Sequence, residues 1–183
     1  LLSFSGEKVE SVGAQCFERC YALKEVSFPA ATAFGSGCFI DCESLTKVNI
    51  PLCTAISDKM FFIAQASVCT STLKTIDLSN ITTIGTSAFE GCKALEDVVD
   101  FSKVTTVGAR AFYECITLRN VDLSNVTATG DYAFFRCWGF TGELNMPKLT
   151  APGKYLFREC KNITKVSAPV LENMSLYMFA ECT

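Results

Sequence analysis

Eleven cysteines and no histidine frame whatever chemistry this chain could perform. Seven cysteines recur in Phe-x-x-Cys, at Phe17/Cys20, Phe39/Cys42, Phe89/Cys92, Phe112/Cys115, Phe134/Cys137, Phe157/Cys160 and Phe179/Cys182. A free cysteine behaves as a small apolar side chain, so the leading reading is a column of buried thiols. Cysteines in one column of adjacent repeats could also approach the Cα separation a disulfide needs, so a few bridges stay open. An odd count leaves at least one cysteine without an intrachain partner. Cys16, Cys20, Cys38 and Cys42 form paired spacings that could supply four thiolates to zinc. Against that, Cys16 and Cys38 stand where other copies have Ala88, Ala111 and Ala133, a position that wants a small residue anyway. No metal and no cofactor are expected.

Nucleophilic catalysis by Cys or Ser needs a nearby base, most often His, and the chain has none. Four carboxylates, Asp77, Asp97, Asp100 and Asp122, fall at similar places in successive units and could bind calcium weakly or exchange protons. A solvated face among Lys74, Lys103 and Arg119 is the simpler account of them. No glycine-rich phosphate loop is present, and the chain is not expected to be an enzyme. Asn80, Asn125, Asn162 and Asn173 begin Asn-x-Ser/Thr sequons that could carry glycans in a secreted eukaryotic protein. Fifteen phenylalanines mostly fill one repeating column. Trp138, in the unusual Cys137-Trp138-Gly139-Phe140, is either an interface anchor or a packing residue.

The elements that must position these residues follow from the period. Successive phenylalanines of the motif lie 22 or 23 apart, except for a gap of 50 between Phe39 and Phe89 that holds Phe61. One repeat therefore carries an insertion of about five residues around Ile63 to Val68, with Cys69 near the cysteine column. After each cysteine comes a large apolar residue and then an alternating segment, as in Leu118-Arg119-Asn120-Val121-Asp122-Leu123. Alternation describes a strand with one buried face. Val98 to Phe101 and Gly142 to Leu144 each hold one extra residue, which predicts small bulges. Apolar residues then return every third position, Gly13, Gly85, Gly108 or Gly130 follows at an expected positive-φ turn, and Phe-x-x-Cys closes the unit as a single helical or 3₁₀ turn. One unit cannot bury its apolar face alone, whereas stacked units can.

The expected fold is therefore a mainly β solenoid, with a parallel sheet of one strand per repeat and short helical or 3₁₀ turns. Residues 1–183 are read as a single domain of about eight repeats and as a fragment of a longer chain. The outward strand column holds Ser27, Asn49, Asp77, Asp122, Asn145 and Ser167. Asn49, Asp77, Asp122 and Asn145, with Trp138, are the candidate binding surface.

Composition narrows the partners. With 49% hydrophobic and 19% charged residues the chain can build a continuous core. The net charge of -3 and scattered Lys and Arg argue against nucleic acid. No apolar run reaches the roughly 18 residues of a membrane span.

The unit Leu-x-x-Val-x-Leu-x-x-Val-x-x-Val-Gly-x-x-Ala-Phe-x-x-Cys resembles the BspA-like leucine-rich repeat, and Val104 to Leu118 is nearly its consensus. The resemblance covers essentially the whole chain. Pro follows the strand only at Pro29, Pro51, Pro147 and Pro169, a departure that touches the turn and not the fold. The resemblance implies a cell-surface or secreted protein engaged in adhesion or protein binding, with a protein, cell-surface or matrix ligand. It brings no catalytic residues to carry over. A purely structural element of a larger surface or phage-tail-like assembly is the alternative, and the oligomeric state stays open.

Overall fold

The computed structural model describes residues 1–64, 71–119 and 121–183. The chain winds as a parallel β-solenoid, and eight core phenylalanines, Phe17, Phe39, Phe61, Phe89, Phe112, Phe134, Phe157 and Phe179, mark its coils. The apolar alternation becomes a series of short strands: β1 (Ser3–Ser5), β3 (Glu25–Ser27), β5 (Lys47–Asn49), β7 (Thr75–Asp77), β9 (Asp97–Val99), β12 (Gly142–Asn145) and β13 (Ile163–Ser167). They pair in parallel with the register the period dictates. Phe4 lies opposite Val26, Val26 opposite Val48 and Ile76 opposite Val98. The alternating segment around Asp122 contains Asn120, which lies outside the described residues. Its pattern persists, with Leu118, Val121 and Leu123 buried and Arg119 and Asp122 exposed.

A second strand series, beyond the one strand per repeat expected, follows in the same coils: β2 (Ser11–Val12), β4 (Ala33–Phe34), β6 (Ala55–Ile56), β8 (Thr83–Ile84), β10 (Thr106–Val107) and β11 (Ala128–Thr129). These two-residue strands arise where apolar residues return every third position. One residue of most pairs is buried and the other faces solvent. Each coil is thus flattened between two strands and a closing turn.

The closing turn is not helical. The residues two before and two after the core phenylalanine take left-handed backbone, as at Arg110 (φ 55) and Glu114 (φ 57), or Tyr132 (φ 59) and Arg136 (φ 57). A left-handed residue at every fourth position breaks a right-handed run. It also turns alternate N–H groups toward the next coil. Arg110, Phe112 and Glu114 donate to the carbonyls of Asp131, Ala133 and Phe135 at 2.8 to 2.9 Å. Ala111, Tyr113 and Cys115 donate back within their own turn. The inter-coil bonds satisfy the backbone that a helix would have satisfied internally.

Glycine also acts differently from expectation. Gly85, Gly108 and Gly130 do not have positive φ; that conformation falls to Gly37, Gly91 and Gly142. A Cβ on Gly108 would come within 2.6 Å of the Gly85 carbonyl carbon and the Thr86 nitrogen. Glycine is required there because successive backbones nearly touch. Gly13, in the first coil described, has nothing within 4 Å of a Cβ.

The core is a ladder. Phe89 and Phe112 stack at 5.1 Å, Phe112 and Phe134 at 5.3 Å, and Phe134 and Phe157 at 5.4 Å, with interplanar angles of 4 to 11°. Such pairs contribute about 0.5–1.5 kcal/mol each beyond area burial. The predicted bulge is present between Gly142 and Glu143. The extra residue after β9 is absorbed by Asp100, which turns left-handed at φ 54. The long repeat places its extra residues between Phe61 and Leu73, and residues 65–70, with Cys69, lie outside those described. On this side the strand series is interrupted: β1, β3 and β5 form one sheet, β7 and β9 another, with no ladder between β5 and β7.

Candidate functional site

Two of the five candidate residues lie together at the interruption. Asn49, the last residue of β5, and Asp77, the last of β7, line the same small cleft with Pro51, Cys53, Ser79 and Asn80. Both also line a shallow depression of about 430 Å³ that runs back over Ser3, Ser5, Glu25, Ser27 and Lys47. Its floor is Phe4, Val26 and Val48, and its rim is a set of small polar and oppositely charged side chains. Asn49 is fixed by donating its Nδ2 to Ser27 Oγ at 2.9 Å. Asp77 accepts the backbone N–H of Ser79 at 2.9 Å, which closes the turn after β7.

The remaining candidates stand apart. Asp122 repeats the Asp77 turn by accepting the N–H of Ser124 at 2.9 Å. Asp100 does the same toward Ser102, and the Ser102 hydroxyl and then its N–H hold the Asp100 carboxyl below its usual range. The aspartates thus work as turn-closing acceptors. Among the described residues no group of three or more Asp, Glu, Cys or His is placed to hold a metal. Asn145 ends β12 and is exposed. Trp138 lies beyond the closing turn at 40% exposure, and its carbonyl accepts Asn162 Nδ2 at 2.6 Å.

The ten described cysteines are free thiols. Cys115 Sγ donates to the Phe89 carbonyl at 3.1 Å, Cys137 to Phe112 at 3.2 Å and Cys160 to Phe134 at 3.0 Å. The column therefore needs a small side chain with one weak donor, which cysteine supplies. Burial pushes the Cys42 and Cys92 thiols up to about 12. Cys16 is exposed, whereas Cys38 is buried and Cys42 is committed to the Phe17 carbonyl, so the four-thiol zinc arrangement is not assembled.

A second surface escaped the reading of the residues. The left-handed positions of the closing turn project outward, and from Arg110 onward they are aromatic or charged. Tyr132 and Tyr155 stack at 4.5 Å and Tyr155 and Tyr177 at 5.2 Å, while beside these columns Tyr113 stacks on the buried Phe135 at 4.7 Å. Arg110 lies 4.3 Å over Tyr113 and pairs with Glu90 at 2.6 Å. Arg136 sits between Glu114 at 3.0 Å and Glu159 at 2.9 Å, and Arg158 pairs with Glu181 at 2.6 Å. The hydrogen bonds that Arg110 donates to Glu90 and Arg136 to Glu159 raise the pKa of each guanidinium further. The available signal was tyrosine recurring two places before the core phenylalanine, at Tyr132, Tyr155 and Tyr177.

A rigid stack of parallel coils with outward polar columns defines a leucine-rich-repeat solenoid. The chain belongs to the BspA type leucine rich repeat family, whose sequence pattern matches residues 2–68 and 62–183 in six copies. No curated protein matches the chain. Among solved structures it is similar to the T. pallidum leucine rich repeat protein, with a TM-score of 0.54 and 19% identity over 96% of this chain and 72% of that one. It also matches a leucine-rich repeat protein from Bacteroides ovatus, with a TM-score of 0.47 and 18% identity over 99% of this chain and 61% of that one. A leucine rich cell surface protein from Faecalibacterium prausnitzii matches with a TM-score of 0.41 and 16% identity, over 100% of this chain and 65% of that one. The chain thus spans less than two thirds of the latter two proteins. Among the described residues no helix is long and apolar enough to cross a membrane.

Proposed function

We propose that this chain is a protein-binding module of an adhesion type, working outside the cell or at its surface, and not an enzyme. The observation that carries the reading is the depression over β1, β3 and β5, which ends where the interrupted sheet sets Asn49 beside Asp77. It is shallow and mixed in polarity, as suits a protein surface better than a small molecule. The surrounding coils are braced by stacked rings and inter-coil hydrogen bonds, so little ordering cost attends binding. Membership of the BspA type family supports the extracellular setting, and the whole of residues 1–183 is taken as one repeat domain. Asp122, Asn145 and Trp138 would extend the contact only for a ligand long enough to reach the later coils.

The reading is tested by surface plasmon resonance of the chain against immobilised fibronectin, laminin and collagen and against intact epithelial cells. Saturable binding to at least one of these, insensitive to chelators, is the expected result. A folded, monodisperse sample that binds none of them would shift the assignment to a structural element of a larger assembly.

A further inference from the structure

We propose that the closing-turn face of the last four coils, from Arg110 to Glu181, is a self-association surface that pairs two copies of this chain in parallel. The proposal is independent of any ligand on the strand face. Its basis is the arrangement of the two left-handed columns that flank each closing turn. In the fifth to eighth coils the residues two before the core phenylalanine are Arg110, Tyr132, Tyr155 and Tyr177. Those two after it are Glu114, Arg136, Glu159 and Glu181. Coil by coil, each residue of one column is matched by a complement in the other: guanidinium with carboxylate, phenol ring with guanidinium, then phenol hydroxyl with carboxylate twice.

Tyr113, Arg158 and, beneath them, the buried Phe135 run between the two columns. A two-fold axis along that middle line, parallel to the solenoid axis, places each column over the opposite column of a second copy. Arg110 then meets a second Glu114, and Tyr132 meets a second Arg136. The pitch matches without adjustment, because both copies repeat at the spacing of neighbouring strands, about 4.8 Å. An antiparallel pairing centred on the Tyr132 coil would instead oppose Glu114 to a second Glu159.

Other occupants fit less well. The rings of Tyr132, Tyr155 and Tyr177 stack on one another, so the faces between them are covered and a sugar finds mainly edges there. Every arginine of the face already has a carboxylate partner, and Glu90, Glu114, Glu159 and Glu181 outnumber Arg110, Arg136 and Arg158, which disfavours a polyanion. Tyr and Arg are also the residue types enriched at interface centres, and here they are held in place before contact. Four coils cover only about 15 Å of axis, so the pairing belongs at the weak end, with a dissociation constant on the order of 10–100 µM.

The test is sedimentation equilibrium of the 183-residue chain from about 5 to about 500 µM, with Arg110→Glu, Glu114→Arg, the double swap and Tyr177→Ala. A reversible monomer–dimer equilibrium is expected. Each single charge reversal should weaken it about tenfold or more, the double swap should recover part of that loss, since Glu90 and Arg136 still oppose the exchanged charges within each copy, and Tyr177→Ala should weaken it about tenfold. Melting curves confirm that each variant is folded. Should the charge reversals not fold, Tyr177→Ala decides, since Tyr177 is 57% exposed and outside the core. A chain that stays monomeric throughout overturns the proposal. So does a dimer indifferent to Tyr177→Ala, or a double swap no tighter than the single reversals. Changes at Asn49 or Asp77 should leave this equilibrium untouched, which separates it from ligand binding on the strand face.

Discussion

At the residue scale, the repeat's recurring residues are set by contact between coils. Phe112 is fully buried between Phe89 and Phe134, and Phe112→Ala should cost about 3–5 kcal/mol in urea unfolding, since it opens a gap in a ladder. Gly108→Ala should also destabilise, although its φ suits alanine, because the Cβ would meet Gly85 and Thr86. Gly13→Ala should be neutral or mildly stabilising, having open space around it. Equal effects of the two glycine changes would contradict the close-approach account. The thiols add a pH dependence. Burial raises Cys42 and Cys92 from an ordinary 9.0 to about 12, so their folded pKa lies above the unfolded one. The stability linked to them is complete below about pH 9 and is lost as pH rises toward 12. Chemical denaturation from pH 7 upward should therefore show a declining midpoint only beyond pH 9, and a flat profile would show these thiols to be accessible.

At the element scale, the closing turn holds backbone strain in exchange for inter-coil bonds. Gln15 is exposed and left-handed at φ 55, so Gln15→Gly should stabilise the chain by roughly 0.5–1 kcal/mol, as read from the shift in urea midpoint. Much of this level was legible beforehand. The spacing of Phe17 to Phe179 located the coils, the alternation located the first strand series, and the extra residue at Gly142 announced a bulge. The turn was not legible, because Ser87, Arg110, Tyr132 and Tyr155 are not residue types that signal positive φ. Their conformation is imposed by the neighbouring coil, which no local pattern records. The same holds for Gly85 and Gly108, where a glycine that suggested a turn marks a steric contact instead.

At the scale of the molecule, stacking converts single residues into columns, and columns are what a partner meets. The outward strand column was readable from alternation, and its Asn49 and Asp77 do share one depression. They are neighbours in that column, and the interruption between β5 and β7, which a long repeat suggested but could not place on a face, leaves a cleft beside them. The Tyr and Arg columns of the turn face needed the left-handed geometry before their outward direction was visible. The central claim is that the strand face, through this depression, seats a protein ligand. Its most direct test compares binding of the unaltered chain, the paired Asn49→Arg and Asp77→Asn variant, and Tyr177→Ala to the same matrix protein by surface plasmon resonance. Asn at position 77 keeps the acceptor that closes the turn toward Ser79, so the fold is retained. The account predicts that the paired variant loses affinity at least about tenfold while Tyr177→Ala binds as the unaltered chain does. Undiminished binding by the paired variant would contradict it and place the ligand elsewhere on the solenoid.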